Sequence, residues 1–288
     1  MPPIPARKVT EYRTRCKPTW CPGCGDWGIW ASLKTAMAEL KLDPDKTVIV
    51  YGIGCSGNMA NTIRTYGFHG LHGRALPAAE AIKIANHALT VIVVAGDGDG
   101  YGEGLNHFIQ SMRGNHDLTY IVHDNQVYGL TTGQASPTAH QGFAAKSTPH
   151  GVLEEPINPL TLAVSAGCGF VSRGFAGDLP HTSQLIKLGI QHKGFSLVDI
   201  LQPCTTFNKI NTVEWYREHI RKLPEDADRS NRLNAWKLAS DLDRLAVGVL
   251  YEENKPSYTD RLPQLEPGPL VSQSLTRKNL TSLYKEFE

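Results

Sequence analysis

Four short β-branched runs, each delivered into a loop of glycine, proline or acid/amide residues, constrain the fold of this chain more than any other feature. They are "TVIVYGIG" (47–54), "TVIVVAGDGDG" (90–100), "LTYIVHDN" (118–125) and "FSLVDILQPC" (195–204). Apolar residues at helical spacing fall between or before them, over 26–41, 76–89 and 103–113, the second with a proline suited to a first helical turn. Unbroken apolar runs predict strands buried on both faces, and their alternation with helices predicts an α/β fold built on a doubly wound, mostly parallel sheet. In such a sheet ligands collect at the carboxyl ends of the strands, where the glycines and cysteines of this chain lie. Beyond about residue 206 the sequence turns charged and proline-punctuated ("KLPEDADRSNR", "LPQLEPGPL"), with no internal repeat. The expected organisation is a ligand-binding domain over 1–205 and, over 206–288, a helical extension with an irregular tail.

Composition narrows the function classes. With 288 residues, 41% of them hydrophobic and 20% charged, the chain is an ordinary globular sequence. A formal net charge of +1 argues against a nucleic-acid partner, which calls for a marked basic excess. No apolar run resembles a signal peptide or approaches a membrane span, so a cytoplasmic protein without a membrane partner is expected. Six cysteines in this length are too sparse for a disulfide scaffold and point to metal binding or plain burial.

The segment 96–125 carries the first chemical signal: a strand delivers Gly96-Asp97-Gly98 into a helix, and the next strand ends at Asp124-Asn125, Asn125 lying 28 positions after Asp97. Glycines let the backbone approach a diphosphate, whose charge a helix N-terminus favours. Asp97 and Asn125 offer hard oxygens suited to Mg²⁺. A bare Gly/Asp turn between strand and helix is the plainer reading, which the complete strand–turn–helix–strand–Asn series disfavours. The pattern resembles the thiamine-diphosphate-binding motif, and the resemblance implies metal ligation by Asp97, Asn125 and the Val127 carbonyl. Asp124 departs from it where many members carry a second asparagine.

The second signal is the cysteines. Cys21, Cys24, Cys55 and Cys204 sit in turns rich in glycine or proline, "WCPGCG", "GIGCSG" and "LQPCTT", the last two at strand ends. Such turns free backbone amides toward sulfur and let four thiolates converge. By spacing alone a zinc site, a redox pair and an iron–sulfur cluster all remain open. Cys16 and Cys168 read as small buried hydrophobes.

Taken in order, "WCPGCG", "GIGCSG", "LHGRALPAAEAIKIAN", "GDGDGYGEGLNHF", "DNQVYGLTTGQASPT" and "QPCTTFN" resemble the β subunit of two-subunit 2-oxoacid:ferredoxin oxidoreductases, the 2-oxoglutarate branch in particular, over roughly residues 17–215. The resemblance implies a [4Fe-4S] cluster on Cys21, Cys24, Cys55 and Cys204, beside thiamine diphosphate and Mg²⁺. It also implies cofactor contacts from Ile53, Gly54, Cys55, Ser56, His72, Gly98, Asp99, Gly129 and Leu130, with His72 as the catalytic candidate; a structural histidine is the alternative there. The implied reaction is 2-oxoacid plus CoA plus oxidised ferredoxin to acyl-CoA, CO₂ and reduced ferredoxin, reversible with a sufficiently reducing ferredoxin. The implied partners are ferredoxin and an α subunit that brings the pyrimidine-binding and CoA-binding domains, in an (αβ)₂ assembly. Asn58 stands where some relatives carry a basic residue, which pulls against a dicarboxylate substrate. Pyruvate or broad 2-oxoacid specificity, a non-oxidative thiamine decarboxylase with structural zinc, and a zinc-stabilised binding subunit without chemistry are the competing readings.

Overall fold

The β-branched runs form strands, and each strand places its apolar side chains alternately on two faces. The computed structural model describes residues 7–274, 281–285 and 287. In chain order the elements that matter are α1 (Asp26–Glu39), β1 (Thr47–Tyr51), β2 (Tyr66–His69), α2 (Ala75–Ala85), β3 (Thr90–Gly96), α3 (Leu105–Gly114), β4 (Leu118–Asp124), the hairpin strands β5 (Val127–Tyr128) and β6 (Gln134–Ala135), and α4 (Pro159–Ser165). They continue with β7 (Phe170–Phe175), α5 (Leu179–Gln191), β8 (Phe195–Leu201), α6 (Val213–His219), β9 (Ile220–Lys222), α7 (Arg232–Ser240) and β10 (Leu245–Glu252).

Eight strands make one sheet in the order β2-β1-β3-β4-β8-β7-β10-β9. The first six are mutually parallel, and β10 runs antiparallel to β7 with β9 parallel beside it. On one face Val48, Val50, Val91, Val93 and Ala95 pack with Leu76, Ala79, Phe108 and Leu160 from α2, α3 and α4. On the other, Ile49, Tyr51, Ile92, Val94 and Ile121 pack with Ile29, Leu33 and Met37 of α1 and with Leu185 and Ile186 of α5. The fully apolar strands are therefore explained by two helical layers, as the doubly wound reading requires.

The extension after residue 206 is not helical alone. It contributes β9 and β10 to the main sheet. The strand in "LAVGVLYE" was obscured by Gly248, which sits at φ +142° just before a register shift between Val249 and Tyr251, and by charged flanks on both sides. Part of the expected tail, residues 275–280, 286 and 288, lies outside the described residues. Among the described residues no helix is long and apolar enough to cross a membrane.

The insertion of β8 between β4 and β7 is what builds a site. Asp124 pairs with Leu201 in register, and the Gln202 amide donates to the Asp124 carbonyl at 2.8 Å. Gly96 pairs with His123, and the Gly52 amide donates to the Val94 carbonyl at 2.8 Å. The loops after β1, β3, β4 and β8 thus leave the sheet side by side at its carboxyl edge.

Candidate functional site

Two adjoining clefts open at that edge. One, of ≈ 480 Å³, is lined by Ile53, Gly54, Cys55, Ser56, His72, Asp97, Gly98, Asp99, Asn125, Val127, Gly129 and Leu130 among others, so every non-cysteine site residue expected from the sequence lies on its wall. The other, of ≈ 740 Å³, is lined by Cys21, Cys24, Cys55 and Cys204 together with Trp20, Asn58 and Gln202. Cys55, Asn125, Gly129 and Leu130 line both.

Asp97 follows β3 and is almost wholly buried. Its Oδ2 accepts from the Gln126 amide at 2.8 Å, Ser136 Oγ at 2.5 Å and Thr138 Oγ1 at 2.7 Å, and its Oδ1 takes none of the three. Burial pushes its carboxyl pKa up, against those hydrogen bonds. Thr138 Oγ1 also lies 2.8 Å from Asp124 Oδ1, and burial, followed by the charges of Asp199 and Asp97, pushes Asp124 well above the usual carboxylate range. One hydroxyl proton cannot serve two carboxylates, so this contact pattern itself calls for a proton on one of them. Asn125 fixes its own amide by accepting from the Val127 amide at 3.0 Å. Between them Gln126 adopts φ +65°, an uncommon conformation for a non-glycine residue and one that over-determined sites hold.

The glycines of this wall have identifiable neighbours. A Cβ at Gly98 would come within 2.4 Å of the Tyr128 ring, and one at Gly52 within 1.7 Å of Asp99 Oδ2. Asp99 Oδ1 accepts from the Gly73 amide at 2.7 Å and lies 3.0 Å from His72 Nδ1. His72 stands at the cleft rim beside Asp99, its Nδ1 without a hydrogen-bond partner among the described residues and its ring 6.1 Å from that of Tyr128. A helical turn over Gly98–Glu103 runs on through Gly104 into α3, so its N-terminal end, with its partial positive charge, stands at the cleft. Ser56 Oγ is buried and has no hydrogen-bond partner among the described residues, a hydroxyl left for a ligand.

The cysteine cleft is clamped from three loops. Trp20 Nε1 donates to the Cys55 carbonyl at 2.7 Å, the Gly25 amide to the Pro203 carbonyl at 3.1 Å, and Thr205 Oγ1 to the Pro22 carbonyl at 3.1 Å. A Cβ on Gly129 would lie 3.4 Å from Cys55 Sγ and 3.9 Å from Cys204 Sγ, ordinary contact distances that place this backbone beside both sulfurs. Burial pushes the Cys55 thiol up to about 12, with Asp26 and Cys204 adding to it, and pushes Cys24 higher still. Among the described residues no three His, Cys, Asp or Glu side chains gather closely enough for a single metal ion; the four thiols stand around a space.

These donors fit the groups that the resemblance implies. A divalent cation would offset the burial that raises the Asp97 pKa, and a cluster would draw the four thiols toward their ionised form. Cys168 is buried as expected, while Cys16 is exposed rather than buried, on an N-terminal segment with polar neighbours. The sequence reading missed Ser136 and Thr138, which hold Asp97, and Gln202, which joins the clefts. The Ser/Thr pair flanking Pro137 in "GQASPT" was the available signal for the first two.

The chain matches a family model described as "Thiamine pyrophosphate enzyme, C-terminal TPP binding domain" over residues 52–200, and a second, for the C-terminal part of the pyruvate ferredoxin oxidoreductase β subunit, over 204–267. It is 43% identical over 292 aligned residues to 2-oxoacid:ferredoxin oxidoreductase 1, subunit beta, of Aeropyrum pernix, covering 95% of this chain and 92% of the relative. The corresponding β subunit of Saccharolobus solfataricus is 45% identical, with 85% and 88% covered. The 2-oxoglutarate oxidoreductase subunit KorB of Mycobacterium tuberculosis is 43% identical, with 70% and 54% covered. A solved structure described as 2-oxoglutarate:ferredoxin oxidoreductase from Magnetococcus marinus, with 2-oxoglutarate, coenzyme A and succinyl-CoA bound, superposes with a TM-score of 0.91 at 36% identity, covering 98% of this chain and 96% of that one.

Proposed function

The chain belongs to the β subunits of the 2-oxoacid:ferredoxin oxidoreductases, and from that premise we propose that, joined to an α subunit, it oxidatively decarboxylates 2-oxoglutarate with CoA to succinyl-CoA and CO₂, reducing a ferredoxin. The observation that carries this reading is the wall shared by the two clefts: Cys55, Asn125, Gly129 and Leu130 face the diphosphate cleft on one side and the four thiols on the other. A decarboxylase without an electron acceptor has no use for that adjacency. When bound, thiamine diphosphate supplies a nucleophilic carbon and an electron sink for loss of CO₂, and a [4Fe-4S] cluster takes electrons singly.

In this reading Asp97, Asn125 and the Val127 carbonyl hold Mg²⁺, which anchors the diphosphate. Ile53, Gly54, Ser56, Gly98 and Asp99 shape its cradle, with Gly129 and Leu130 closing the side toward the cluster. His72, beside Asp99 and with its Nδ1 left for a ligand, is the polar group presented at the rim. Cys21, Cys24, Cys55 and Cys204 hold the cluster. The region ending near residue 205 then carries the whole set, and the extension from 206 buttresses it through β9 and β10.

Charge supports an acidic electron carrier at the outlet. The segments that bear the four cysteines, 12–25, 52–79 and 200–213, contain Arg13, Arg15, Lys17, Arg64, Arg74 and Lys209, and of the acids that directly flank them, Glu11, Asp26, Glu80, Asp199 and Glu214, Asp26 and Asp199 are fully buried. Arg13 bridges to Ile63 and Thr205 binds Pro22, so these three segments lie beside one another, with Cys21 exposed among them. For the substrate, the KorB relative and the Magnetococcus marinus structure are named for 2-oxoglutarate, whereas the Aeropyrum and Saccharolobus relatives are named for 2-oxoacids in general. Asn58, on the wall of the cysteine cleft, is neutral, so the cation that offsets the distal carboxylate is assigned to the α subunit. The test is kcat/KM of the assembled enzyme for 2-oxoglutarate against pyruvate, with CoA and ferredoxin. A preference for 2-oxoglutarate is expected, and a preference for pyruvate overturns the choice of substrate.

A further inference from the structure

Gln202 leaves the carboxyl end of β8 buried on the wall of the cysteine cleft, against Asn125, which lines both clefts. Its Oε1 accepts from Asn125 Nδ2 at 2.8 Å, and its Nε2 donates to Cys24 Sγ at 3.3 Å. The direction of both bonds is fixed from one end. The Val127 amide donates to Asn125 Oδ1 at 3.0 Å, so the Asn125 amino group must face Gln202. The Gln202 carbonyl must answer it, because a flipped amide would set two donors against each other. Only the amino group is then left for sulfur. The backbone permits this approach because residue 25 is glycine: a Cβ there would stand 2.6 Å from Gln202 Cγ.

We infer that Gln202 is a positioning residue that couples the two cofactor sites, holding Asn125 in its ligating orientation and tuning the cluster through the hydrogen bond to Cys24. The inference rests on the cofactor assignment proposed above. Asp26 Oδ2 stands 3.3 Å from the same sulfur and disfavours charge on it. The Gln202 donor opposes that effect and binds best to the sulfur of the more negative, reduced cluster, so it raises the reduction potential. Because one rigid amide makes both contacts, loss of the side chain acts on both sites.

The test uses the assembled αβ enzyme, purified anaerobically, with native Gln202 and with Gln202→Met, an apolar side chain of similar length. The Met variant is expected to lower the cluster's reduction potential, raising its oxidised/reduced ratio at a fixed ambient potential by about tenfold, which is about 59 mV for a one-electron couple. Retained thiamine diphosphate should fall by roughly tenfold, the usual scale for loss of an outer partner of a metal ligand. A cluster present at full iron and sulfide content with an unchanged potential overturns the inference and leaves the cofactor assignment standing, whereas native protein without iron overturns both. Should the variant lose its cluster, the native enzyme decides: selective ¹⁵N labelling of glutamine side chains should give a ¹⁵N coupling to the reduced cluster in electron–nuclear double resonance. Absence of that coupling refutes the hydrogen bond.

Discussion

Replacing Asp97 by asparagine separates what its carboxylate does for the fold from what it does for a metal. Three buried donors, the Gln126 amide, Ser136 Oγ and Thr138 Oγ1, converge on Oδ2 at 2.5–2.8 Å. Alanine would strand the Gln126 amide and Ser136 Oγ, Thr138 Oγ1 keeping Asp124 Oδ1 as acceptor, at roughly 1–3 kcal/mol each or about 2–6 kcal/mol together, a large fraction of the stability of a typical domain. Asparagine keeps an acceptor oxygen with two lone pairs, forfeits about one bond worth ~1 kcal/mol, and relieves a charge whose burial already pushes its pKa up. The melting temperature of Asp97→Asn should therefore stay within roughly 2–4 °C of native. Its metal affinity should not survive, because the site loses its anionic protein ligand. A charge-assisted contact of about 1.5–3 kcal/mol corresponds to a loss of roughly 10- to 150-fold in retention of Mg²⁺ and thiamine diphosphate. Bound cofactor is counted by thiochrome fluorescence on anaerobically purified αβ complex, with iron and sulfide measured on the same sample. Cofactor retention within threefold of native would refute the ligand assignment. Iron lost in parallel with cofactor would mean that Asp97 supports the cysteine cleft instead.

Single serine variants of Cys21, Cys24, Cys55 and Cys204 should each lose most iron and sulfide, while Cys16→Ser and Cys168→Ser keep the brown colour; the reverse outcome for Cys168 and Cys204 rejects the ligand set. Asp124→Asn should keep cofactor and activity within about threefold, since burial and the neighbouring carboxylates hold that group toward its neutral form. A folded pKa above the unfolded value of about 3.9 makes the native carboxyl cost stability as pH rises through that window, so the variant's advantage in Tm should grow from pH 4 to 7; a constant difference contradicts this. Mg²⁺ with thiamine diphosphate should bind with proton release, because burial raises the Asp97 pKa and the metal takes the ionised form. Calorimetry in two buffers of different ionisation enthalpy reads that release, and identical heats would speak against it. The chain alone, reconstituted with cluster and cofactor, should show no CoA-dependent viologen reduction until an α subunit is added; full turnover would mean that Glu80, Glu103 or another glutamate of this chain activates the cofactor.

The sequence by itself determined four of the eight strands of the main sheet and their parallel run, and left β2, β7, β9 and β10 unread. β1, β3, β4 and β8 are apolar on both faces, and only a sheet covered by helices on both sides can bury such runs, so periodicity and composition suffice to read them. It also showed that Asp97, Asn125 and four cysteines lie in loops at strand ends, because glycine and proline mark those loops locally. β10 escaped because Gly248 and a register shift break its pattern, and its place between β7 and β9 depends on partners far away in sequence. Tertiary structure alone decided which loop ends meet. The insertion of β8 beside β4 sets Gln202 against Asn125, 77 positions away, and brings Cys204 and Cys55 to opposite sides of the same cleft beside Gly129. It likewise folded Ser136 and Thr138 back onto Asp97. Hydroxyls and amides such as these carry no periodic signature, because what selects them is the geometry of one buried oxygen or sulfur, and that geometry exists only once the sheet has closed its order.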